Sequence, residues 1–309
     1  MQIIFNQIFL LTIAMTFAQC NKPGKEKALW ESNYTLNDVS VSTKFSLFNQ
    51  NTINQNYKEL SGLVCGHKNE TFIYMVEDKG NPNKIYVFNQ TGVLQTKLIL
   101  EGLENIDWED LAIGPGPVEG ESYIYVADIG DNDANRNSVR IIRFVEPDLS
   151  TIASNSITIN NYDIITFQYP KGARDAETLM INPFTKDLII MTKVELVTRV
   201  YQLKYPYTAN INKAEFVGLL PTSKLVAGDI SKDGQRITVK NKGNIYYWET
   251  QSNDIYKTLF HSPPKIITYV PEPQGESIGF SLDGKSYFTI TETKGIDGAE
   301  PILYHYMEN

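Results

Sequence analysis

The stretch Gly228-Asp229-Ile230-Ser231-Lys232-Asp233-Gly234-Gln235-Arg236-Ile237-Thr238-Val239-Lys240 reads as a short strand, a tight turn and a second strand that ends in charge. Its Asp-Gly pair suits a two-residue hairpin, where the backbone must adopt positive φ. The unit returns at Glu276-Ser277-Ile278-Gly279, with Ser281-Leu282-Asp283-Gly284 as the turn and Tyr287–Glu292 as the second strand. Working outward, the first strand also recurs at Ser61-Gly62-Leu63-Val64, Glu109-Asp110-Leu111-Ala112 and Glu177-Thr178-Leu179-Met180. The five starts, at positions 61, 109, 177, 228 and 276, lie 48, 68, 51 and 48 residues apart. A recurrence of that size marks a chain assembled from one supersecondary unit.

The remaining strands fall into the same columns. Second strands are read at Tyr74–Asp78, Tyr123–Asp128, Leu188–Lys193, Ile237–Lys240 and Tyr287–Glu292, and aromatic-rich third strands at Ile85–Phe88, Val139–Phe144, Val200–Leu203, Ile245–Trp248 and Ile302–Tyr306. Fourth strands are read at Lys97–Leu100, Ile164–Tyr169, Glu215–Leu219 and Ile266–Val270. The fifth repeat has none, because the chain ends three residues after Tyr306, whereas an unassigned strand, Val41–Phe48, stands near the N-terminus. The expectation is an all-β fold, a five-bladed β-propeller whose last blade is closed by the N-terminal strand, which removes the open edge of a linear array. The long interval is read as an insertion, Asp148–Asn161, containing one extra strand. Six blades and a two-sheet sandwich are the alternatives.

Composition narrows the chemistry. Among 309 residues, 28 Lys+Arg against 36 Asp+Glu give a net charge of −8, which disfavours nucleic acid as a partner because phosphate neutralisation needs a basic face. Eighteen Tyr, 14 Phe and 3 Trp supply a sizeable core. Three His (His67, His261, His305) leave little room for an all-histidine zinc site, and two Cys (Cys20, Cys65) exclude a disulfide-rich scaffold. Carboxylates and backbone must carry the chemistry.

Residues 1–19 are uncharged, and Ile8–Phe17 is an apolar run too short to span a bilayer, the form of a signal peptide. Two processing sites compete: small residues at Thr16-Phe17-Ala18 for ordinary cleavage, and Phe17-Ala18-Gln19-Cys20 as a loose lipobox with Cys20 lipidated. The expected organisation is a signal peptide at 1–19, a tether at 20–38 and one propeller domain at 39–309. The protein is expected to be exported, as a periplasmic or cell-surface lipoprotein or else secreted, monomeric, and held to a membrane only by a lipid anchor. A Cys20–Cys65 disulfide is the alternative to lipidation.

In a propeller the first strand of each blade lines the central channel. The column Ser61, Glu109, Glu177, Gly228 or Asp229, and Glu276 would therefore form a ring about the axis. Converging carboxylates repel one another unless a cation sits between them. Oxygen ligands from several blades suit Ca²⁺, which takes 6–8 oxygens in flexible geometry. The expected site is one central calcium held by Ser61, Glu109, Glu177, Asp229 and Glu276. The alternative is that these groups accept channel amides or pair with Arg174 and Lys193.

The run Glu59-Leu60-Ser61-Gly62-Leu63, with Tyr74-Met75-Val76-Glu77-Asp78-Lys79 and Ile85-Tyr86-Val87-Phe88, resembles the opening of the calcium-activated nucleotidases (apyrases). That resemblance implies a five-bladed propeller with one central Ca²⁺ and Ser/Glu ligands, which Ser61, Glu109, Glu177 and Glu276 match, Asp229 standing where that family has Ser. Over roughly residues 59–306 the chain is also similar to a group of uncharacterised exported bacterial propellers related to the phytase-like, esterase-like domain. The likeness lies in Ile106-Asp107-Trp108-Glu109-Asp110-Leu111-Ala112, Ala127-Asp128-Ile129-Gly130-Asp131-Asn132 with Arg136, Arg174-Asp175-Ala176-Glu177 and Ala227-Gly228-Asp229-Ile230-Ser231.

Other motifs are weighed in the same frame. The Asx-rich Asp128–Arg136 loop either ligates a second cation or satisfies its own backbone. Gly275-Glu276-Ser277-Ile278-Gly279 spells the esterase elbow G-x-S-x-G, but Ser277 is better explained as a repeat position, with only His305 downstream. Lys79, Arg136, Arg174, Lys193 and Lys240 stand at strand ends near the ring, as binding of a small anion would need. His67 and His261 are expected in solvated turns, and Trp108 between blades. The reading is a calcium-type propeller that binds a small anionic ligand or a cell-surface partner. The alternative is a calcium-dependent phosphoester or phosphoanhydride hydrolase, with Asp110, Glu109, Arg174 and Lys193 as candidate catalytic residues.

Overall fold

Strand-length apolar runs broken by Gly, Asn and Asp turns become five antiparallel sheets in the computed structural model, which describes residues 26–54, 57–152, 154–194 and 196–309. The segment read as a signal peptide and Cys20 lie outside the described residues. The chain begins its sheets with β1 (Ser40–Val41) and β2 (Phe45–Thr52). Blade 1 follows with β3 (Leu60–Cys65), β4 (Phe72–Glu77), β5 (Lys84–Asn89) and β6 (Leu94–Leu100). Blade 2 carries β7 (Trp108–Pro115), β8 (Ser122–Asp128), β9 (Val139–Val145), β10 (Ile157–Ile159) and β11 (Asp163–Gln168). Blade 3 has β12 (Ala176–Ile181), β13 (Leu188–Thr192), β14 (Thr198–Leu203), β15 (Asn212–Lys213) and β16 (Glu215–Leu220). Blade 4 contains β17 (Ala227–Ile230), β18 (Arg236–Lys240), β19 (Ile245–Glu249), α1 (Ile255–His261) and β20 (Lys265–Ile267), and blade 5 contains β21 (Gln274–Gly275), β22 (Gly279–Phe280), β23 (Ser286–Glu292) and β24 (Ile302–Glu308).

The inner strands make a ring: β3 packs on β7, β7 on β12, β12 on β17, β17 on β22, and β22 back on β3. The fold is a five-bladed β-propeller. A hydrophobic wedge fills each of the five gaps between blades. Tyr74, Tyr125, Tyr201, Tyr247 and Tyr287 are fully buried, and Trp108 packs between blades 1 and 2 as expected. Each such side chain contributes roughly 1.5–3 kcal/mol by leaving water.

Closure comes from the N-terminus, four residues later than the sequence pattern suggested. β2, rather than Val41–Phe48, lies antiparallel on β24, because Phe45 is the residue that fills the wedge between blades 4 and 5. Ser40–Val41 instead adds in parallel to β20 at the rim of blade 4. The same device recurs, with β10 parallel on β6 and β15 parallel on β11. In each case the segment just before one blade's fourth strand covers the outer edge of the blade before it, and so hides unpaired backbone.

Blade 3 is covered differently. The Leu29 and Trp30 N–H groups donate to the Val217 carbonyl at 2.8 and 2.9 Å, Glu26 pairs with Arg199 at 2.8 Å, and the Tyr34 hydroxyl donates to Leu259. Residues 26–38 of the stretch read as a tether are thus held against the propeller. Helix α1 was not visible as periodicity in so short a run. Asp254 caps it through the Lys257 N–H at 2.9 Å, and Ile255, Leu259 and Phe260 bury its inner side. Cys65 is a buried free thiol.

Candidate metal centre

Irregularities in the inner strands decide where the ring side chains point. Between Trp108 and Asp110 in β7, and between Ala176 and Thr178 in β12, the register against the second strand slips by one residue. The extra residues are Glu109 and Glu177. A β-bulge re-aims its side chain, and here both carboxylates turn to the channel. Blade 1 has a slip between Leu60 and Leu63, spanning Ser61. The Ser61 hydroxyl donates to the Glu109 carbonyl at 2.6 Å, so it holds the Glu109 backbone. Gly62 permits this approach, since a Cβ there would lie 2.5 Å from the Asp110 Cα.

Around Glu109 two groups of carboxylates converge, Asp78, Asp107 and Glu109 on one side, and Glu109, Asp175 and Glu177 on the other, with ligand oxygens within 4.8 Å of one another in each group. Asp107, Glu109, Asp175 and Glu177 are all more than nine-tenths buried. The Asp131 N–H fixes one Asp175 oxygen at 2.9 Å, and Lys79 stands 3.7 Å from Asp107. Lys193 pairs with Glu177 and lies 3.7 Å from Glu276, which Lys242 meets at 2.9 Å. Yet Asp107 Oδ1, Asp175 Oδ2 and Glu177 Oε2 are buried with no hydrogen-bond partner. Buried polar atoms are overwhelmingly satisfied in folded proteins, so these three oxygens, in the two groups that share Glu109, are a donor set suited to a cation.

The electrostatics agree. Burial first, and then Glu177, Asp78 and Asp107, push the Glu109 carboxyl well above its ordinary value. Burial pushes Glu177 up to about 8 despite Lys193 beside it, and Asp107 up to about 6. Glu276 shows the opposite balance: burial opposes its charge, but Lys193 and Lys242 outweigh that and hold its pKa low. Burial, then the Glu276 charge, push the Glu292 carboxyl up, and its hydrogen bond to Glu276 helps to hold Glu276 low.

Asp229 and Asp110 do not join this group. Their carboxylates point from one inner strand to the next: Asp110 accepts the N–H groups of Leu111 (2.9 Å) and Leu179 (3.0 Å), and Asp229 those of Ile230 and Phe280 (both 2.8 Å). β17 pairs with β18 without a bulge, so blade 4 offers the axis only Gly228. Ser277 shares the cross-linking column, its hydroxyl accepting the Ile290 N–H at 3.0 Å, while His305 stacks on Phe288. That is a sheet position and not a nucleophile elbow.

Of the expected cations, Lys193 and Lys79 reach the carboxylates. Arg174 donates to Ala173 and Tyr201, and Lys240 is buried against Glu272 at 3.4 Å. In the Asp128–Arg136 loop, Asp131 accepts the N–H groups of Asn135 and Arg136, and Asp128 pairs with Arg136 and Arg140. The loop satisfies itself, and its product is Gly130, where a Cβ would collide with Glu109 Oε1 and Asp107. Asp78, Asp107, Asp175, Lys242 and Gly130 were not singled out from the sequence. The available signal was the doubled acid-x-Glu pattern, Asp107-Trp108-Glu109 and Asp175-Ala176-Glu177, at the start of two first strands.

Beside the cluster opens a cleft of about 650 Å³, lined by Asp175, Lys193, Lys224, Asn241 and Lys242 among others. No family model matches this chain, and no curated protein does. Among solved structures, the WD40 domain of Neurospora crassa Pan2 is similar over 87% of this chain and 97% of its own, with a TM-score of 0.47 and 11% sequence identity.

Proposed function

We propose that the axial carboxylates form a calcium-type centre and that the propeller binds a small anionic ligand or a surface partner at that mouth. The observation that carries this reading is the set of three buried oxygens without a hydrogen bond, on Asp107, Asp175 and Glu177, beside Glu109. Glu109, Glu177, Asp107, Asp175 and Asp78 would hold the ion, Ser61 would position Glu109, and Glu276 would hold Lys193 and Lys242 at the rim. An all-oxygen, carboxylate-rich donor set matches a hard cation of flexible coordination. Export through the N-terminal segment, with lipidation at Cys20, belongs to the same proposal.

Calorimetric melting tests it. Calcium in hundredfold excess over its Kd should add roughly 2.7 kcal/mol of stability. Glu177→Gln should stay folded in chelator, because the amide keeps the shape of the side chain and an acceptor for Lys193, and should show no calcium response. A wild-type protein whose melting temperature is indifferent to every divalent ion would overturn the centre.

The lysine-lined cleft favours one alternative, a calcium-dependent phosphoester or phosphoanhydride hydrolase of the kind the apyrase resemblance implies. A bound divalent ion supplies positive charge against phosphate oxygens. Lys193 and Lys242 would orient the phosphate, and Glu109, whose affinity for a proton is raised by burial and by Glu177, would receive a proton from attacking water. Asp110 has both oxygens engaged by backbone. Hydrolysis of nucleoside triphosphates and of p-nitrophenyl phosphate, measured with calcium and then with chelator, separates the readings: no turnover by folded, calcium-responsive protein leaves the binder.

A further inference from the structure

The five inner strands run in one direction along the channel, so their C-terminal ends build a second mouth, opposite the carboxylates. A cavity of about 350 Å³ opens there. Its floor is apolar, made of Ile113, Ile181 and Ile230 from blades 2, 3 and 4, and its rim carries His67, Lys68 and Lys232. Small-molecule sites have this size and this composition, an apolar body with few polar groups.

The rim is fixed in place. The Glu146 carboxylate, reaching from blade 2, accepts the N–H groups of His67 (3.2 Å), Lys68 (2.8 Å) and Asn69 (3.2 Å), and so locks the loop that presents His67. Lys186 donates to the Gly116 carbonyl at 2.8 Å and ties blade 3 to blade 2 at the edge. Lys68 is compensated by Glu121 at 3.4 Å. Lys232 has neither an ion-pair nor a hydrogen-bond partner among the described residues, and the buried Ser122 hydroxyl in the same wall has none either. His67, expected to be solvated, is half-buried. Burial, and then the Lys232 charge, lower its pKa to about 4, so the ring faces the cavity neutral.

We infer that this second mouth binds a small organic monoanion with an apolar body, such as an aromatic carboxylate or sulfonate. The apolar part lies over Ile113, Ile181 and Ile230, and the anionic group meets Lys232, with the Ser122 hydroxyl as a second donor. The site is independent of the carboxylate mouth, and its occupant needs no metal.

8-Anilino-1-naphthalenesulfonate has the required bulk and charge, and its fluorescence reports binding. The probe should saturate a single site on the folded protein. Lys232→Glu, an exposed position where folding is checked by an unchanged melting temperature, should weaken it roughly tenfold or more, the worth of a charge-assisted hydrogen bond. Glu177→Gln should leave it unchanged. The uncharged analogue N-phenyl-1-naphthylamine should bind wild type and Lys232→Glu alike. No saturable binding to the wild type, equal binding of the sulfonate to Lys232→Glu, or equal weakening of both probes would each overturn the assignment.

Discussion

Gly130 has no side chain, yet two carboxylates depend on it: a Cβ there would occupy the space of Glu109 Oε1 and of the Asp107 carboxyl. Gly130→Ala should therefore weaken calcium roughly tenfold or more, since a displaced ligand loses one strong charge-assisted contact. Titration calorimetry reads the affinity, and calcium binding as tight as wild type would remove Glu109 and Asp107 from the centre. Part of this was legible. Ser61, Glu109, Glu177 and Glu276 stand out because one repeat column is acidic or hydroxylic, and the structure groups two of them, Glu109 and Glu177, with Asp175. Asp229 was placed with them as the alternative to Gly228 in that column, standing where the apyrase resemblance has Ser. Only the missing bulge in β17 shows that its carboxylate addresses the neighbouring blade instead.

At the scale of the element, Asp110 and Asp229 are cross-braces between inner strands, each accepting one N–H of its own strand and one of the next blade. Asp229→Ala leaves two buried N–H groups unsatisfied, at about 1–3 kcal/mol each. Urea unfolding at pH 5 should show a loss of about 2–6 kcal/mol with the calcium response intact; a lost response would return Asp229 to the metal site. pH sharpens the test. Burial raises the Asp229 carboxyl in the folded protein to about 7, with Asp110 and the Cys65 thiol as its charged or titratable neighbours. An acid whose folded pKa lies above its unfolded value binds more protons when folded, so its contribution is complete below about pH 4 and is lost as pH rises towards 7. Asp229→Asn should flatten that part of the stability profile, and an unchanged slope would show that other groups set it. Bulges and braces escape a sequence reading because both depend on how two strands register, and no single strand carries that information.

For the whole molecule, blade count and N-terminal closure could be read from one missing strand, and β10 is the extra strand read in the insertion Asp148–Asn161, whereas the parallel strands β1 and β15 could not be read, being two residues long. Closure carries the largest consequence. β2 pairs with β24 from Phe45 opposite Glu308 to Thr52 opposite Ile302, and Phe45 packs edge-on against Tyr247 and Tyr287, with ring centroids 5.5 and 5.1 Å away. Lys44 adds ion pairs to Glu249 at 2.7 Å and Glu308 at 3.1 Å, so the strand joins blade 4 to blade 5. Each blade otherwise touches only its two neighbours. A chain lacking residues 1–54 would expose the β24 edge, lose an aromatic from the wedge and leave β20 without β1. Its calorimetric transition should broaden and fall, because the ring no longer couples every blade to every other. A peptide spanning residues 39–54 should restore the transition in proportion to its concentration, as strand addition to an open edge does. A truncated chain that melts as sharply and as high as the wild type would show that the five wedges suffice and that the N-terminal strand merely decorates a ring already closed by β22 on β3.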